Sequence, residues 1–182
     1  RSAKGIELRV HPTLIPEEEL IANVNGVKNA VLVQANAVGP TLYYGAGAGA
    51  GPTASAVIAD VVDIVRDIIY TEDGAGTIPQ LAFEALTNMP ILSREEMTTG
   101  YYIRLNAEDQ TGVLADITTI LSRAGISIDA IMQQSRLKDL IPIVILTDPI
   151  VESKMDEALA QIQALPAIRG EIVRIRLESL DS

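Results

Sequence analysis

The chain has 182 residues, of which 48% are apolar, so it predicts a folded protein of one large or two small domains. Its 14 basic and 24 acidic residues give a net charge of −10, which excludes the basic surface typical of nucleic-acid-binding and anionic-membrane-binding proteins. Cysteine is absent, which excludes disulfides and thiolate metal sites and favours a cytoplasmic location. The chain begins with Arg1 rather than methionine, so we expect further residues before it.

The first 47 residues are rich in short β-type patterns. Residues 5–12 alternate like a half-buried strand, and Pro16 followed by three glutamates predicts the start of a short helix. Residues 26–38 and 40–47 predict a pair of strands joined at Gly39-Pro40. His11, the one histidine of the sequence, falls in the first predicted strand; a structural or interface role is favoured there over acid–base chemistry.

A long helix is predicted from Pro52 to about Tyr70, because proline suits the first turn of a helix. Apolar residues cover two adjacent faces, so the helix is expected to be nearly buried; they are Val57, Ile58, Val61, Val62, Val65, Ile68 and Ile69. Asp60, Asp63 and Asp67 share the remaining stripe. They could hold a metal or exchange protons, but a solvated helix face is the more frequent arrangement.

A glycine-rich stretch, YYGAGAGAGPTASAV at residues 43–57, precedes this helix. Gly45, Gly47 and Ala50 satisfy the relaxed dinucleotide fingerprint G-x-G-x-x-G/A. The fingerprint also needs a second parallel strand ending in an acidic residue, and no such strand follows the helix. The stretch could present backbone N–H groups to an anionic ligand or could be a tight packing turn, and the pattern alone leaves both readings open. Tyr43 and Tyr44 precede it, and alternation predicts that one of them is buried.

The second half predicts the order βαββαβ, the ferredoxin-like arrangement. Strands are predicted at 99–107, 126–135, 141–148 and 168–179, and amphipathic helices at 111–125 and 151–166. Such a sheet carries helices on one face only. Its open face and its edges therefore favour pairing with a second copy.

The motifs ELRVHPTLIP, VNGVKNAVLV and YYGAGAGAGPTASAVIADVVDI resemble the closing portion of the catalytic region of bacterial homoserine dehydrogenase. Residues 98–182 resemble the ACT domain appended to that enzyme. The resemblance implies an α+β fold, with a partial α/β catalytic and dimerisation segment at 1–90, a linker at 91–97 and a ferredoxin-like ACT domain at 98–182. It also implies the NAD(P)-dependent interconversion of L-homoserine and L-aspartate 4-semialdehyde, on the route to threonine and methionine.

The same resemblance implies which sites this chain carries. The family's nucleotide-binding domain, catalytic lysine and cation site lie before this segment, so no catalytic or metal residue is expected here and the segment alone is expected to be inactive. Gly49 is implied to contact the cofactor. A cofactor contact is implied less strongly for its neighbours Gly47, Ala50, Pro52 and Thr53.

In the ACT part, the family turn D-x-P-G-V-L reads Asp109-Gln110-Thr111-Gly112-Val113-Leu114, with threonine in place of proline. The implied effector is L-threonine, bound between this turn and the neighbouring subunit of at least a dimer. Its implied contacts are Asp109, Gly112, Val113, Leu114, Ile126 and Asp129. Two alternatives stay open: an ACT domain that only dimerises, and a stand-alone amino-acid sensor that uses residues 98–182.

Overall fold

The computed structural model describes residues 5–70, 88–133 and 140–179. The chain forms two compact units, one made of Arg1–Pro16 with Met89–Ser182 and the other of Glu17–Asn88. Residues 5–16 thus pack with the second half of the chain, although the sequence predicts that they group with residues up to 90. The functional boundaries at 90 and 98 stay a prediction.

The described residues contain seven strands and three α-helices, together with two short 3-10 helices, Leu20–Asn23 and Arg94–Glu96. In chain order, the elements are β1 (Thr13–Leu14), β2 (Lys28–Ala35), β3 (Gly39–Ala46), α1 (Ala50–Tyr70), β4 (Thr98–Glu108), α2 (Val113–Arg123), β5 (Ile128–Gln133), β6 (Leu140–Val151), α3 (Glu152–Gln163) and β7 (Ile168–Leu177).

The larger unit is a sheet in the order β1-β7-β4-β6-β5, with β1 parallel to β7 and the other neighbours antiparallel. Its core lies between one sheet face and the helices α2 and α3. Alternate residues of β4 point into that core, as the period of two requires, and the helices contribute residues three and four apart. The buried residues include Tyr101, Ile103, Leu105, Ile117, Leu121, Met155 and Ile162. The predicted βαββαβ order and the α+β fold class are confirmed.

The strand predicted at residues 5–12 is wrong. Ile6 makes only an isolated bridge to Ile91, and regular pairing begins at β1, after Pro12. Proline has no N–H to donate to a ladder, so strand pairing starts beyond it. His11 therefore lies in a bend and is half-buried, with Nδ1 3.0 Å from the carbonyl oxygen of Pro12.

The smaller unit contains the hairpin of β2 and β3 and the helix α1. The hairpin runs in register from Lys28 opposite Ala46 to Ala35 opposite Gly39, as predicted apart from a turn placed slightly earlier. The nearly buried state predicted for α1 is wrong within this unit, since Val57 is 54% and Ile68 73% exposed. A two-stranded ribbon is too small to cover two faces of a 21-residue helix, so its apolar surface stays open.

Candidate functional site

The glycine loop joins β3 to α1, and glycine is required at two of its positions for different structural reasons. Gly47 donates its N–H to the carbonyl of Val27 at 3.1 Å, and the side chain of Asn29 packs against it. A Cβ at position 47 would lie 1.7 Å from Nδ2 of Asn29, so a larger residue would displace that side chain. Gly47 is therefore explained by close packing alone.

Gly49 is explained by backbone conformation. Its φ of 112° lies in the region that residues with a Cβ avoid, whereas the space beside it is ordinary, with Pro52 Cδ 3.5 Å from a Cβ placed there. Its carbonyl accepts the N–H of Thr53 at 3.1 Å and so closes the first turn of α1. Gly49 thus sets the direction in which the chain enters the helix.

The loop is open to solvent at the positive end of α1. All five cofactor candidates, Gly47, Gly49, Ala50, Pro52 and Thr53, are exposed. N–H groups in the first turn of a helix lack intrahelical acceptors, so this end can accept an anion or a ligand oxygen. The geometry brings the five candidates together, and their contact with a cofactor stays a prediction.

The two tyrosines before the loop are both exposed, Tyr43 at 63% and Tyr44 at 59%. The prediction that one of them is buried is wrong, because both faces of this two-stranded ribbon are open within the unit. The Lys28 ammonium lies 5.6 Å from the ring centroid of Tyr44, within cation–π range. A groove of about 240 Å³ runs from Asn29 past both rings to Gly47.

The effector turn precedes α2 in the larger unit. Gly112 has φ 95° and ψ −21°, the left-handed conformation that glycine accepts readily, and its carbonyl accepts the N–H of Asp116 at 2.9 Å. Apart from its chain neighbours, no described residue places an atom within 4 Å of the position that a Cβ at residue 112 would take. The start of α2 therefore presents backbone N–H groups beside open space, an arrangement that can hold a carboxylate.

The other effector candidates are distributed differently. Val113 and Ile126 belong to the core, with Ile126 only 4% exposed, so they could contact a ligand only through their backbones. Leu114 packs partly against the same core. Asp129 is exposed and lines a separate cavity on the sheet. Because the prediction places Ile126 and Asp129 on the neighbouring subunit, this single chain leaves it untested.

A buried carboxylate that the sequence analysis missed stands at the start of α3. Glu152 is fully buried, and it accepts hydrogen bonds from Tyr101 Oη at 2.7 Å, from Arg176 Nε at 3.0 Å and from Arg94 Nη2 at 3.2 Å. Arg174 Nη2 lies 3.4 Å from the same carboxylate. Arg174 and Arg176 alternate along β7, but Arg94 comes from a distant 3-10 helix, so no local motif identifies the cluster.

The arginines decide the charge of Glu152. Burial alone would raise the pKa of this carboxyl, but hydrogen bonds from Arg176, Tyr101 and Arg94 outweigh it and lower the pKa to about 2. Burial and the hydrogen bond to Glu152 together raise the pKa of the Tyr101 hydroxyl. Glu152 is therefore a stable anion that ties the 3-10 helix at Arg94–Glu96 to the sheet and to α3.

Two further kinds of site are absent from residues 5–70, 88–133 and 140–179. No helix there combines the length and apolarity that crossing a bilayer requires. Nor do these residues bring together three His, Cys, Asp or Glu side chains able to hold a metal. Of the aspartates along α1, Asp63 pairs with Arg66 at 3.5 Å, as on a solvated helix face.

Comparison with known proteins agrees with both halves of the sequence. Residues 1–62 match the family model "Homoserine dehydrogenase", and residues 101–165 match the model "ACT domain". A protein of Pseudomonas aeruginosa named homoserine dehydrogenase is 50% identical over 185 residues, covering 100% of this chain and 42% of that protein. One of the same name from Neisseria gonorrhoeae is 49% identical over 99% of this chain and 42% of its own length.

The structural comparison gives the same result. The crystal structure of a homoserine dehydrogenase from Thiobacillus denitrificans superimposes with a TM-score of 0.87 at 54% identity, over 99% of this chain and 41% of that one. The chain thus spans about two fifths of the length of the relatives it matches. Nearly the whole chain is thus similar to part of these homoserine dehydrogenases, and residues 101–165 match an ACT domain.

Proposed function

We propose that this chain is the carboxy-terminal part of a homoserine dehydrogenase. The complete protein would interconvert L-homoserine and L-aspartate 4-semialdehyde with NAD(P), in the cytoplasm, on the route to threonine and methionine. The relatives' name and the match over almost the whole chain support this proposal. Its activity would depend on residues outside this chain, because neither described unit contains a nucleotide-binding βαβ.

The main structural support for this proposal is the exposed glycine loop at the start of α1. Gly49 fixes the entry to the helix through its positive φ, and the neighbouring N–H groups point away from the helix. A cofactor phosphate or amide approaching this loop meets backbone donors and no Cβ at position 49.

Paired substitutions in the complete protein test the loop. Gly49→Ala places a Cβ at a left-handed position, which costs roughly 1–2 kcal/mol and shifts the loop, so we expect the KM for NAD(P) to rise at least about fivefold. Gly51→Ala is the matched control, because Gly51 lies within α1 and an added Cβ there meets open space. Equal kinetics for the two variants would make the loop a packing turn only.

We also propose that the ACT domain binds an amino-acid effector, L-threonine, at the turn before α2. The first-turn N–H groups of α2 suit its carboxylate, and the carboxylate of Asp109 suits its ammonium group. The free sheet edge at β5 suits pairing with a second ACT domain in at least a dimer. A stand-alone sensor would bind threonine in the same way but would belong to a protein without homoserine oxidation.

A further inference from the structure

A cavity of about 500 Å³ opens on the sheet of the larger unit, on the face opposite α2 and α3. Tyr102 lines it, whereas its neighbours Tyr101 and Ile103 point into the core, as alternation along β4 requires. The walls are mostly apolar side chains, among them Leu14, Met132, Leu146 and Leu177. This volume lies within the range of small-molecule sites.

Two irregularities in strand pairing lie beside the cavity. In β5, Ile128 faces Thr147 and Ala130 faces Leu146, so Asp129 is an extra residue. Between β4 and β6 the register also shifts, between Thr99 and Tyr101, where Gly100 stands. A Cβ at Gly100 would lie 3.0 Å from the carbonyl oxygen of Thr147. Both bulges meet the same stretch of β6, and bulges of this kind redirect side chains towards sites.

One wall comes from outside the βαββαβ arrangement. The strand β1 adds Leu14, and Ile15 and Pro16 follow it along the rim. This segment is fixed by the hydroxyl of Thr13, which donates to the Arg176 carbonyl at 3.0 Å, and by the N–H of Glu178, which donates to the Leu14 carbonyl at 3.0 Å. The larger unit thus builds a concave site where an unextended ferredoxin-like sheet would present an open face.

The charged residues that line the cavity in the described part of the chain are all acidic. Its charged lining residues are Asp129, Asp148 and Glu178, and no basic residue lines it in the described part of the chain. Glu178 lies 3.8 Å from Arg9, but Asp129 and Asp148 form no ion pair with any described residue. The Asp148 N–H donates to the Ser127 carbonyl at 3.1 Å, which ties the two bulged segments together. The cavity therefore attracts a cation and repels carboxylates and phosphates.

We propose that this cavity binds a small molecule with an apolar body and a single ammonium group. The apolar part packs on Tyr102, Leu146 and Leu177, and the ammonium group lies at Asp129 and Asp148. An amino-acid zwitterion fits poorly, because its carboxylate would face these aspartates without a partner. Asp129 is also an implied threonine contact from the neighbouring subunit, but the cavity takes a different class of ligand from the turn before α2. Its test does not depend on the proposed dehydrogenase activity.

Three probes of equal chain length separate charge from apolar contact. We would titrate the 182-residue chain with hexylammonium, hexanol and hexanoate. Binding is followed by the backbone NMR signals of Tyr102 and the methyl NMR signals of Met132 and Leu146. Hexylammonium is expected to bind saturably and about tenfold more tightly than hexanol, and hexanoate is expected not to bind. The double variant Asp129→Asn with Asp148→Asn should weaken hexylammonium about tenfold and leave hexanol unchanged.

The double variant Asp116→Asn with Glu157→Gln is the matched control, because it removes the same charge from exposed positions on α2 and α3. Its affinity for hexylammonium should equal that of the unmutated chain. Three results would overturn the proposal: no saturable binding of hexylammonium, equal binding of all three probes, or a dimer in sedimentation that hexylammonium dissociates. The last would make this face an interface between copies.

Discussion

At the scale of single residues, Glu152 shows how a buried charge is kept. Its side chain is fully buried, whereas Arg94 is 58% exposed and Arg174 and Arg176 are about one fifth exposed at 21% and 19%. The arginines therefore keep part of their hydration while they satisfy the carboxylate, which lowers the cost of burying it. Removing the carboxylate would leave these cations and the Tyr101 hydroxyl without their shared partner.

We expect Glu152→Gln to lower the free energy of unfolding by about 2–3 kcal/mol at pH 7, because it leaves partly buried cations uncompensated. Chemical denaturation of the 182-residue chain measures this loss. Asp156→Asn is the control, since Asp156 also pairs with Arg174 but is 43% exposed and should cost less than about 1 kcal/mol. Equal losses in the two variants would show that the buried Glu152 stabilises the fold no more than the partly exposed Asp156 does.

The pKa of Glu152 also predicts a pH dependence. Its folded pKa of about 2 lies below the ordinary 4.5, so the carboxylate stabilises the fold above pH 4.5 and loses this contribution as the pH falls towards 2. The denaturant concentration at the unfolding midpoint, measured from pH 6 to pH 2, should decrease in the unmutated chain as the pH drops from 4.5 towards 2. It should decrease less steeply in Glu152→Gln; identical slopes would contradict the assignment.

At the scale of elements, apolar spacing predicted α2 and α3 well because each helix has a sheet to bury its apolar face against. The same kind of pattern in α1 led to a wrong prediction of burial, since spacing reports the surface a helix can bury and not whether a partner is present. Alternation at residues 5–12 failed for a similar reason: pairing needs a free neighbouring edge and N–H groups, and Pro12 has none.

The candidate sites were predictable to different degrees. Gly49 and Gly112 stand in local sequence patterns, and their positive φ values explain why glycine is required there. Glu152 could not be found from the sequence, because Arg94 and Arg176 reach it from segments far apart in the chain. The acidic cavity was equally hidden, since it lies beside two bulges and beside the pairing of β1 with β7.

The turn before α2 yields a prediction at this scale. L-threonine should bind the 182-residue chain, and Asp109→Ala should weaken it at least about tenfold, a loss of roughly 1.4 kcal/mol, because the ammonium group loses its counter-charge. Titration calorimetry measures both affinities. Glu157→Ala, an exposed acid on α3, is the control and should bind threonine normally.

Absence of heat with threonine, isoleucine, methionine and lysine would leave the ACT domain as a dimerisation element. Heat that Asp109→Ala does not change would place the amino acid elsewhere than at the turn before α2. A response to isoleucine or methionine alone would keep the site and replace the effector.

At the scale of the whole molecule, each unit leaves apolar surface exposed. In the smaller unit the apolar faces of α1 are uncovered, and in the larger unit one sheet face is open. The chain spans about two fifths of its relatives' length, and under the proposed function the rest of the protein would cover α1. Regulation in such a protein requires that threonine favour one arrangement of the paired ACT domains, by a coupling of roughly 1–3 kcal/mol.

The central claim is that this chain supplies a cofactor loop and an effector domain to an enzyme whose catalytic residues lie elsewhere. Steady-state oxidation of L-homoserine with NAD⁺ and with NADP⁺ tests it most directly, using the complete protein and the 182-residue chain, each with and without L-threonine. We expect turnover by the complete protein, inhibition of that turnover by threonine, and no turnover by the 182-residue chain. Turnover by the 182-residue chain, or none by the complete protein with either cofactor, would contradict the account.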